Sequence, residues 1–221
     1  MWIERDFDRP SAELLEHFRG LSTGILSDAM GRLQGCDGAI SALTPGWRLC
    51  GPAFTVQCVE ACNWGAHQAL QIARPGDVLV LSSRGAMTSA VWGHVMTAAA
   101  KRARLGGVVV DGCIRDADEN RADTFPIFAR GAAPAGPHKK WPCSINVPVS
   151  CGGVAVLPGD IVVGDGDGIV VVPARRAEEV LREALLRVET ERTWYRRIEE
   201  GATTLELLGI DPADPHKEPM T

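Results

Sequence analysis

Hydrophobic positions near the start of the chain recur at helical spacing. Leu14, Leu15 and Phe18 lie between Ser11, a hydroxyl suited to an N-cap, and Gly20, a natural stop, which predicts a first helix. A second helix is predicted from Ser22-Thr23, with Ile25, Leu26, Ala29, Met30 and Leu33 on one face and its end by Gly35. Its Asp28 could face a site, although a solvated helix residue is the ordinary alternative. From Pro45 to Cys62 the pattern turns strand-like, with a break at Gly51-Pro52 and alternation from Ala53 to Val59. His67 to Ala73 reads as a short helix. Arg74-Pro-Gly-Asp then forms a tight turn into Val78-Leu-Val-Leu, and the device returns as Leu157-Pro-Gly-Asp before Ile161-Val-Val.

Gly85 and the small residues after it predict a flexible loop, followed by an Ala-rich helix from Trp92 to Leu105 that stops at Gly106-Gly107. Val108 to Val110 is a buried-strand run that breaks at Asp111-Gly112, and a second strand-like run follows at Phe125-Pro-Ile-Phe-Ala. Pro134 to Val149 reads as a proline-rich connection across the surface. Gly152 to Pro173 is a glycine-punctuated β run whose Asp165 to Gly168 has hairpin-turn composition. That turn looks like half of a calcium loop but lacks the downstream glutamate. Ala174 to Glu200 predicts a long charged helix with Val180, Leu181, Ala184, Leu185 and Val188 as its stripe, and a short helix follows around Leu205 to Leu208. One α/β domain over residues 1–221 is expected, with 1–10 and 211–221 peripheral or frayed.

Composition narrows the function classes. Hydrophobic residues at 45% and charged residues at 23% suit a globular domain with a real core. A formal charge of -5 gives no reason to expect a nucleic-acid surface. No apolar stretch approaches the roughly 18 residues of a membrane span, and MWIERDFDRP has no signal-peptide core, so a cytoplasmic location is expected. Seven cysteines, odd in number and irregular in spacing, suit reduced core thiols rather than a disulfide scaffold. Cys58, Cys62 and His67 could be drawn as zinc ligands, but no second Cys-x-x-Cys element completes a tetrahedral set.

The candidate chemistry gathers around Val108 to Gly131, VVVDGCIRDADENRADTFPIFARG. Arg115-Asp116 stands where the chain turns at the end of a strand, the place where α/β proteins collect ligand-handling groups. A guanidinium there can grip a carboxylate with two hydrogen bonds, and a carboxylate can hold a hard divalent cation. The plain alternative is a solvated ion pair. Upstream, Gly93 precedes a predicted helix, whose free N–H groups make an anion site in some proteins and nothing in most. Phosphate-binding glycine motifs and a Gly-x-Ser-x-Gly elbow are absent, and the four lysines lie in helical, proline-rich or tail contexts, which disfavours a buried Schiff-base lysine.

Four collinear motifs carry a resemblance: Trp92-Gly-His-Val-Met, Val110-Asp-Gly-Cys-Ile-Arg-Asp, Phe125-Pro-Ile-Phe-Ala-Arg-Gly, and Pro158-Gly-Asp-Ile-Val-Val-Gly-Asp-x-Asp-Gly-Ile-Val-Val-Val-Pro. From Ser22 to Gly201 the chain resembles 4-hydroxy-4-methyl-2-oxoglutarate aldolases and the RraA-like regulators of ribonuclease activity. The resemblance implies a swivelling β/β/α fold with N-terminal helices and a long C-terminal helix. It also implies a homotrimer or dimer of trimers with active sites between subunits, and a class II pyruvate aldolase that decarboxylates oxaloacetate, using Mg²⁺ or Mn²⁺. By position, Asp116 resembles the metal ligand and Arg115 the residue that binds the pyruvate-type carboxylate and keto group. Gly93 and the backbone N–H groups of His94, Val95 and Met96 resemble the other half of the substrate cradle. Glu191, or Glu189 if the helix register shifts, resembles a glutamate that reaches the metal's water from a neighbouring subunit. His94 departs from the family, whose aldolases carry an acidic residue there. A non-catalytic regulator of ribonuclease activity is the competing reading.

Overall fold

The computed structural model describes residues 2–211, so the tail expected to fray lies almost wholly outside the described residues. In chain order the strands are β1 (Trp2–Ile3), β2 (Ser41–Ala42), β3 (Leu49–Cys58), β4 (Val78–Trp92), β5 (Gly107–Ile114), β6 (Ile127–Ala132), β7 (Cys143–Ile145), β8 (Val149–Cys151), β9 (Val154–Val156), β10 (Ile161–Asp165) and β11 (Gly168–Val172). The helices are α1 (Ala12–Arg19), α2 (Thr23–Ala29), α3 (Trp64–Ile72), α4 (His94–Arg102), α5 (Ala117–Ala122), α6 (Ala177–Glu199) and α7 (Thr204–Leu208). Parallel pairing of β3, β4, β5 and β6 forms the centre of a mixed sheet ordered β1-β7-β3-β4-β5-β6-β2.

The continuous apolar runs are explained by burial on both faces, as parallel strands require. Successive side chains point to opposite sides. Leu79, Leu81, Val108 and Val110 therefore pack with α3 and α4, whereas Val78, Val80 and Val109 pack against β8 to β11. The β10–β11 hairpin repeats the device. Val162 and Val171 face the central sheet, while Ile161, Val163, Val170 and Val172 face α1, α2 and the first half of α6. Helices thus lie outside two β layers.

The two Pro-Gly-Asp turns are the same object. In each, the glycine has φ +87° and the aspartate carboxylate accepts the N–H three residues back, from Arg74 to Asp77 at 2.7 Å and from Leu157 to Asp160 at 2.8 Å. Asp77 is held further by a two-bond pair with Arg9, which ties the peripheral N-terminal segment down; β1 adds an edge strand beside β7.

Several expectations are corrected. The second helix stops at Ala29, because Gly31 and Arg32 take φ +69° and +66°, and Leu33 is left 79% exposed. Gly51-Pro52 is no break; it falls where β3 exchanges its antiparallel partner β10 for the parallel partner β4, so the missing proline N–H interrupts neither ladder. The flexible loop after Gly85 is instead part of β4, which follows β5 with shifts of register at bulged residues. Asp111-Gly112 lies inside β5 rather than ending it, and the proline-rich connection contributes β7. Of the stripe on α6, Val180 and Ala184 are buried and Leu181 and Val188 pack partly against the core, but Leu185 is 51% exposed. The Asp165–Gly168 hairpin turn forms as expected, with Asp165 capping the start of α2 through the N–H and hydroxyl of Thr23.

Candidate active site

β4 and β5 run parallel, so their carboxyl ends deliver Trp92-Gly93 and Arg115-Asp116 to one edge. Arg115 donates its N–H to the Trp92 carbonyl at 2.8 Å, joining the two segments. Gly93 is the N-cap of α4 in an extended conformation, where a Cβ would stand 2.7 Å from Asp116 Oδ2 and 3.2 Å from Arg115 Cγ. The missing side chain is what lets the pair close over the helix start. Asp116 sits at φ +54°, ψ +49°, a left-handed conformation that aspartate adopts more readily than most residues. From there its Oδ2 accepts the His94 N–H at 3.0 Å.

This strained corner is held by a closed buried circuit. Trp92 Nε1 donates to Thr97 Oγ1 at 2.9 Å, and Thr97 donates to Asn120 Oδ1 at 2.7 Å. Asn120 Nδ2 donates to the Arg115 carbonyl at 2.9 Å, and the Arg115 N–H returns to Trp92. Thr97 and Asn120 are fully buried and Trp92 is 1% exposed, so every polar group in the ring is satisfied away from water. Neither α5 nor this circuit is expected from the sequence pattern.

The corner opens on a cavity of about 240 Å³ whose walls include Trp92, Gly93, Val95, Met96, Arg115 and Asp116. The sequence-predicted groups Gly93, Val95, Met96, Arg115 and Asp116 are therefore brought together. The N–H cradle is narrower than the resemblance implies. His94 gives its N–H to Asp116, and Met96 closes a tight turn onto the Gly93 carbonyl at 2.9 Å. Only Val95 has an N–H without a partner among the described residues. The His94 ring turns to Asp123, 3.4 Å away, and Asp123 also takes Lys101 at 2.7 Å. Lys101 first, then the N–H groups of Phe125 and Thr124 and the His94 ring, pull the Asp123 carboxyl down to about 2. Glu191 and Glu189 line no part of the cavity: α6 packs on α1 and α2, and no residue of its second half is buried.

Three polar side chains of the cavity wall lie outside the expected site: Asn63, His67 and Lys139. Asn63 stands in front of α3, where asparagine reads as a helix cap, yet it makes no capping bond. From the sequence pattern His67 is at most an incomplete zinc ligand and Lys139 part of a surface connection; both line the cavity. Burial, then the charge of Lys139, lowers the His67 imidazole below its usual range, so it is neutral at pH 7. The seven cysteines are free thiols, five of them buried.

The fold is that of an α/β protein whose candidate site lies at the carboxyl edge of its parallel strands. The chain belongs to the RraA-like family, whose model, described as Aldolase/RraA, matches residues 23–171. It is 40% identical over 172 residues, 78% of this chain and 82% of the relative, to a Halalkalibacterium halodurans protein named "Putative 4-hydroxy-4-methyl-2-oxoglutarate aldolase". An uncharacterized protein from Pseudomonas syringae pv. tomato shares the fold with TM-score 0.81 and 32% identity, covering 91% of this chain and 95% of the other. Streptomyces coelicolor RraAS2, described as an unusual member of the RNase ES inhibitor RraA family, matches with TM-score 0.74 and 30% identity over 89% of this chain and 100% of its own. No helix among the described residues is long and apolar enough to cross a membrane.

Proposed function

We propose that this chain is a divalent-metal-dependent lyase that cleaves a 4-hydroxy-2-oxo acid to pyruvate and decarboxylates oxaloacetate at the same site. The observation that carries the reading is the half-open Arg115-Asp116 pair beside Gly93 in a 240 Å³ cavity. Arg115 and Asp116 are 3.8 Å apart and their side chains are 46% and 38% exposed, so both keep bonding capacity for a ligand. Asp116 Oδ1 has no hydrogen bond among the described residues. No group of three or more His, Cys, Asp or Glu side chains among them could cage a metal. One free carboxylate oxygen facing a roomy cavity fits Mg²⁺ or Mn²⁺, which keep several waters and take the rest of their ligands from substrate, and does not fit a zinc cage. Asp116 would hold the ion.

When bound, such a cation polarises the 2-oxo group and stabilises the negative charge that develops as the bond to C3 breaks. Arg115 grips the 2-oxo acid head through two donors, and the Val95 N–H offers a third. Trp92 and Met96, 1% and 5% exposed, form an apolar wall that excludes water around the reacting carbons. Both cleavages leave pyruvate enolate, so one site serves both. Lys139 is solvent-exposed, whereas a Schiff-base lysine is a desolvated one.

Glu191 lies outside the cavity of its own chain, and the proposal gives its part to a second subunit of a homotrimer or a dimer of trimers. Leu186, Tyr195 and Ile198, 64%, 65% and 45% exposed, give α6 an exposed apolar surface for that contact. Asp116→Ala and Glu191→Ala proteins, each weak alone, should regain activity when their subunits are exchanged; no recovery in exchanged mixtures would make Glu191 irrelevant or place it in cis.

The test of the reading is pyruvate release from oxaloacetate and from 4-hydroxy-2-oxo acids. A chelator should abolish it and Mg²⁺ or Mn²⁺ restore it. Inactivation by borohydride in the presence of pyruvate would overturn the metal reading in favour of Lys139. Absence of release with either substrate would favour the non-catalytic, ribonuclease-regulator reading that the Streptomyces neighbour's description supports.

A further inference from the structure

The cavity wall also contains Asn63, the N-cap of α3, and His67 in its first turn. They are four residues apart, so they share one face of that segment, and both line the cavity. Asn63 is 4% exposed, and its Oδ1 is a buried acceptor with no partner. Its Nδ2 reaches only the Met96 sulfur, at 3.4 Å, a weak acceptor. Leaving a buried polar atom unpaired costs on the order of 1–3 kcal/mol, so such an atom in a cavity wall marks a place where a ligand supplies the partner. The His67 ring makes no hydrogen bond among the described residues, and its backbone N–H is anchored on the Asn63 carbonyl at 3.2 Å, which fixes the two positions relative to each other.

We propose that Asn63 and His67 form the subsite for the substrate's 4-hydroxyl, with Asn63 Oδ1 orienting the O–H and His67 acting as the general base. This rests on the lyase reading above and assigns a step to residues for which that reading has no role. The group to be matched must donate a hydrogen bond to an orphaned acceptor and then give up the same proton to a neighbouring base, and an alcohol does both. If the amide is turned over, Nδ2 takes the place of Oδ1, and a hydroxyl still matches because it also accepts. The neutral imidazole produced by burial and by Lys139 has a free lone pair for the proton.

The step balances. The O–H proton passes to a ring nitrogen of His67, and the O–H electron pair becomes the second bond of a new C4 carbonyl. The C3–C4 bond breaks, and its pair is taken up as pyruvate enolate. Return of the proton from His67 to C3 gives pyruvate and restores the neutral ring. Oxaloacetate has no 4-hydroxyl, so its decarboxylation requires no such base, and the two activities should separate.

The experiment measures kcat/KM for pyruvate release from 4-hydroxy-4-methyl-2-oxoglutarate and from oxaloacetate in wild type, His67→Gln, His67→Ala and Asn63→Ser proteins. Removal of a general base should slow the hydroxy acid about 100-fold or more. For His67→Gln that loss should exceed the loss on oxaloacetate by at least ~30-fold. Asn63→Ser should show the same direction, with a smaller ratio because serine retains a polar atom. Added imidazole should restore part of the His67→Ala cleavage. Equal losses on the two substrates, or a folded His67→Gln protein within threefold of wild type on the hydroxy acid, would overturn the assignment. Wild-type release of pyruvate from oxaloacetate alone would overturn the hydroxyl subsite while leaving the lyase reading standing. Release from neither would overturn both.

Discussion

Two arginine–aspartate pairs meet at β5, Asp111 with Arg130 of β6 and Arg115 with Asp116 just past the strand's end, and they behave oppositely. Asp111 lies inside the strand, where Arg130 Nε reaches Oδ1 at 2.5 Å and the Gly152 N–H reaches Oδ2 at 3.1 Å. Arg130 turns its other arm to Asp37 at 2.7 Å, and the Arg130 and Asp111 side chains are 17% and 6% exposed. Five residues later, Arg115 and Asp116 are 3.8 Å apart and far more exposed, and the carboxylate carries a single N–H. The first pair uses its bonding capacity within the fold, and the second leaves capacity for something else. The same two residue types are thus a fastener in one setting and a candidate site in the other. Saturation of their hydrogen bonds, not their chemistry, separates them.

The largest expected effect breaks the fastener. Arg130→Ala would leave Asp111 buried without its cation, which costs about 3–5 kcal/mol. In a protein of this size that is a fall in Tm of ~6–20 °C by calorimetry, with pyruvate release by the folded fraction within a few-fold of wild type. The next effect is the reverse in kind. Arg115→Lys keeps the charge but loses the two-donor grip, at about 2–4 kcal/mol in the transition state, or ~30- to 1,000-fold in kcat/KM, with Tm little changed. If Arg130→Ala were the variant that abolished turnover at unchanged Tm, the assignment of the two pairs would be inverted.

The sequence made much of this visible and hid the rest for identifiable reasons. Runs such as Val78-Leu-Val-Leu and Val108-Val-Val show buried strands because both faces of the central sheet are covered. Arg115-Asp116 is legible as a charged pair at the end of a strand-like run, and Gly93 as a glycine at the start of a helix. The Asp111-Gly112 dipeptide misleads because an ion pair with Arg130, 19 residues away, stabilises a charge within a strand, and local pattern does not report that. The bulged half of β4 reads as a loop because small residues and a glycine in a pleated edge look like one. Asn63, His67 and Lys139 join the cavity through tertiary folding, which local pattern does not report.

A third, smaller perturbation acts on the frame that keeps the Arg115-Asp116 corner open. Thr97→Val preserves shape but removes the hydroxyl linking Trp92 Nε1 to Asn120 Oδ1, leaving two buried groups unpaired at a cost of about 1–3 kcal/mol. If the circuit positions the corner, Mn²⁺ affinity and kcat should fall along with Tm, and Thr97→Ser should recover all three. A fall in Tm alone would make the circuit another fastener of the Asp111 kind.

The smallest expected effect concerns Asp123, which lies between the two extremes: saturated like Asp111, but placed at the edge of the site. Its carboxylate collects Lys101, the N–H groups of Thr124 and Phe125, and the His94 ring, so it ties residues seven apart on one side of α4 to the chain leaving α5. Its folded value of about 2 lies below the roughly 3.9 of a free aspartate, so the charged form is the one favoured by folding. The stabilisation is therefore present above about pH 4 and is lost as pH falls toward 2. Because Lys101 is 43% exposed, solvent screening holds the contribution to on the order of 1 kcal/mol or less. Asp123→Asn should accordingly be slightly less stable than wild type at neutral pH, and the two urea-unfolding curves should converge between pH 4 and pH 2. If the gap instead widened on acidification, the folded carboxyl would have to titrate above a free aspartate, and the ion pair with Lys101 would not be what holds this end of α4.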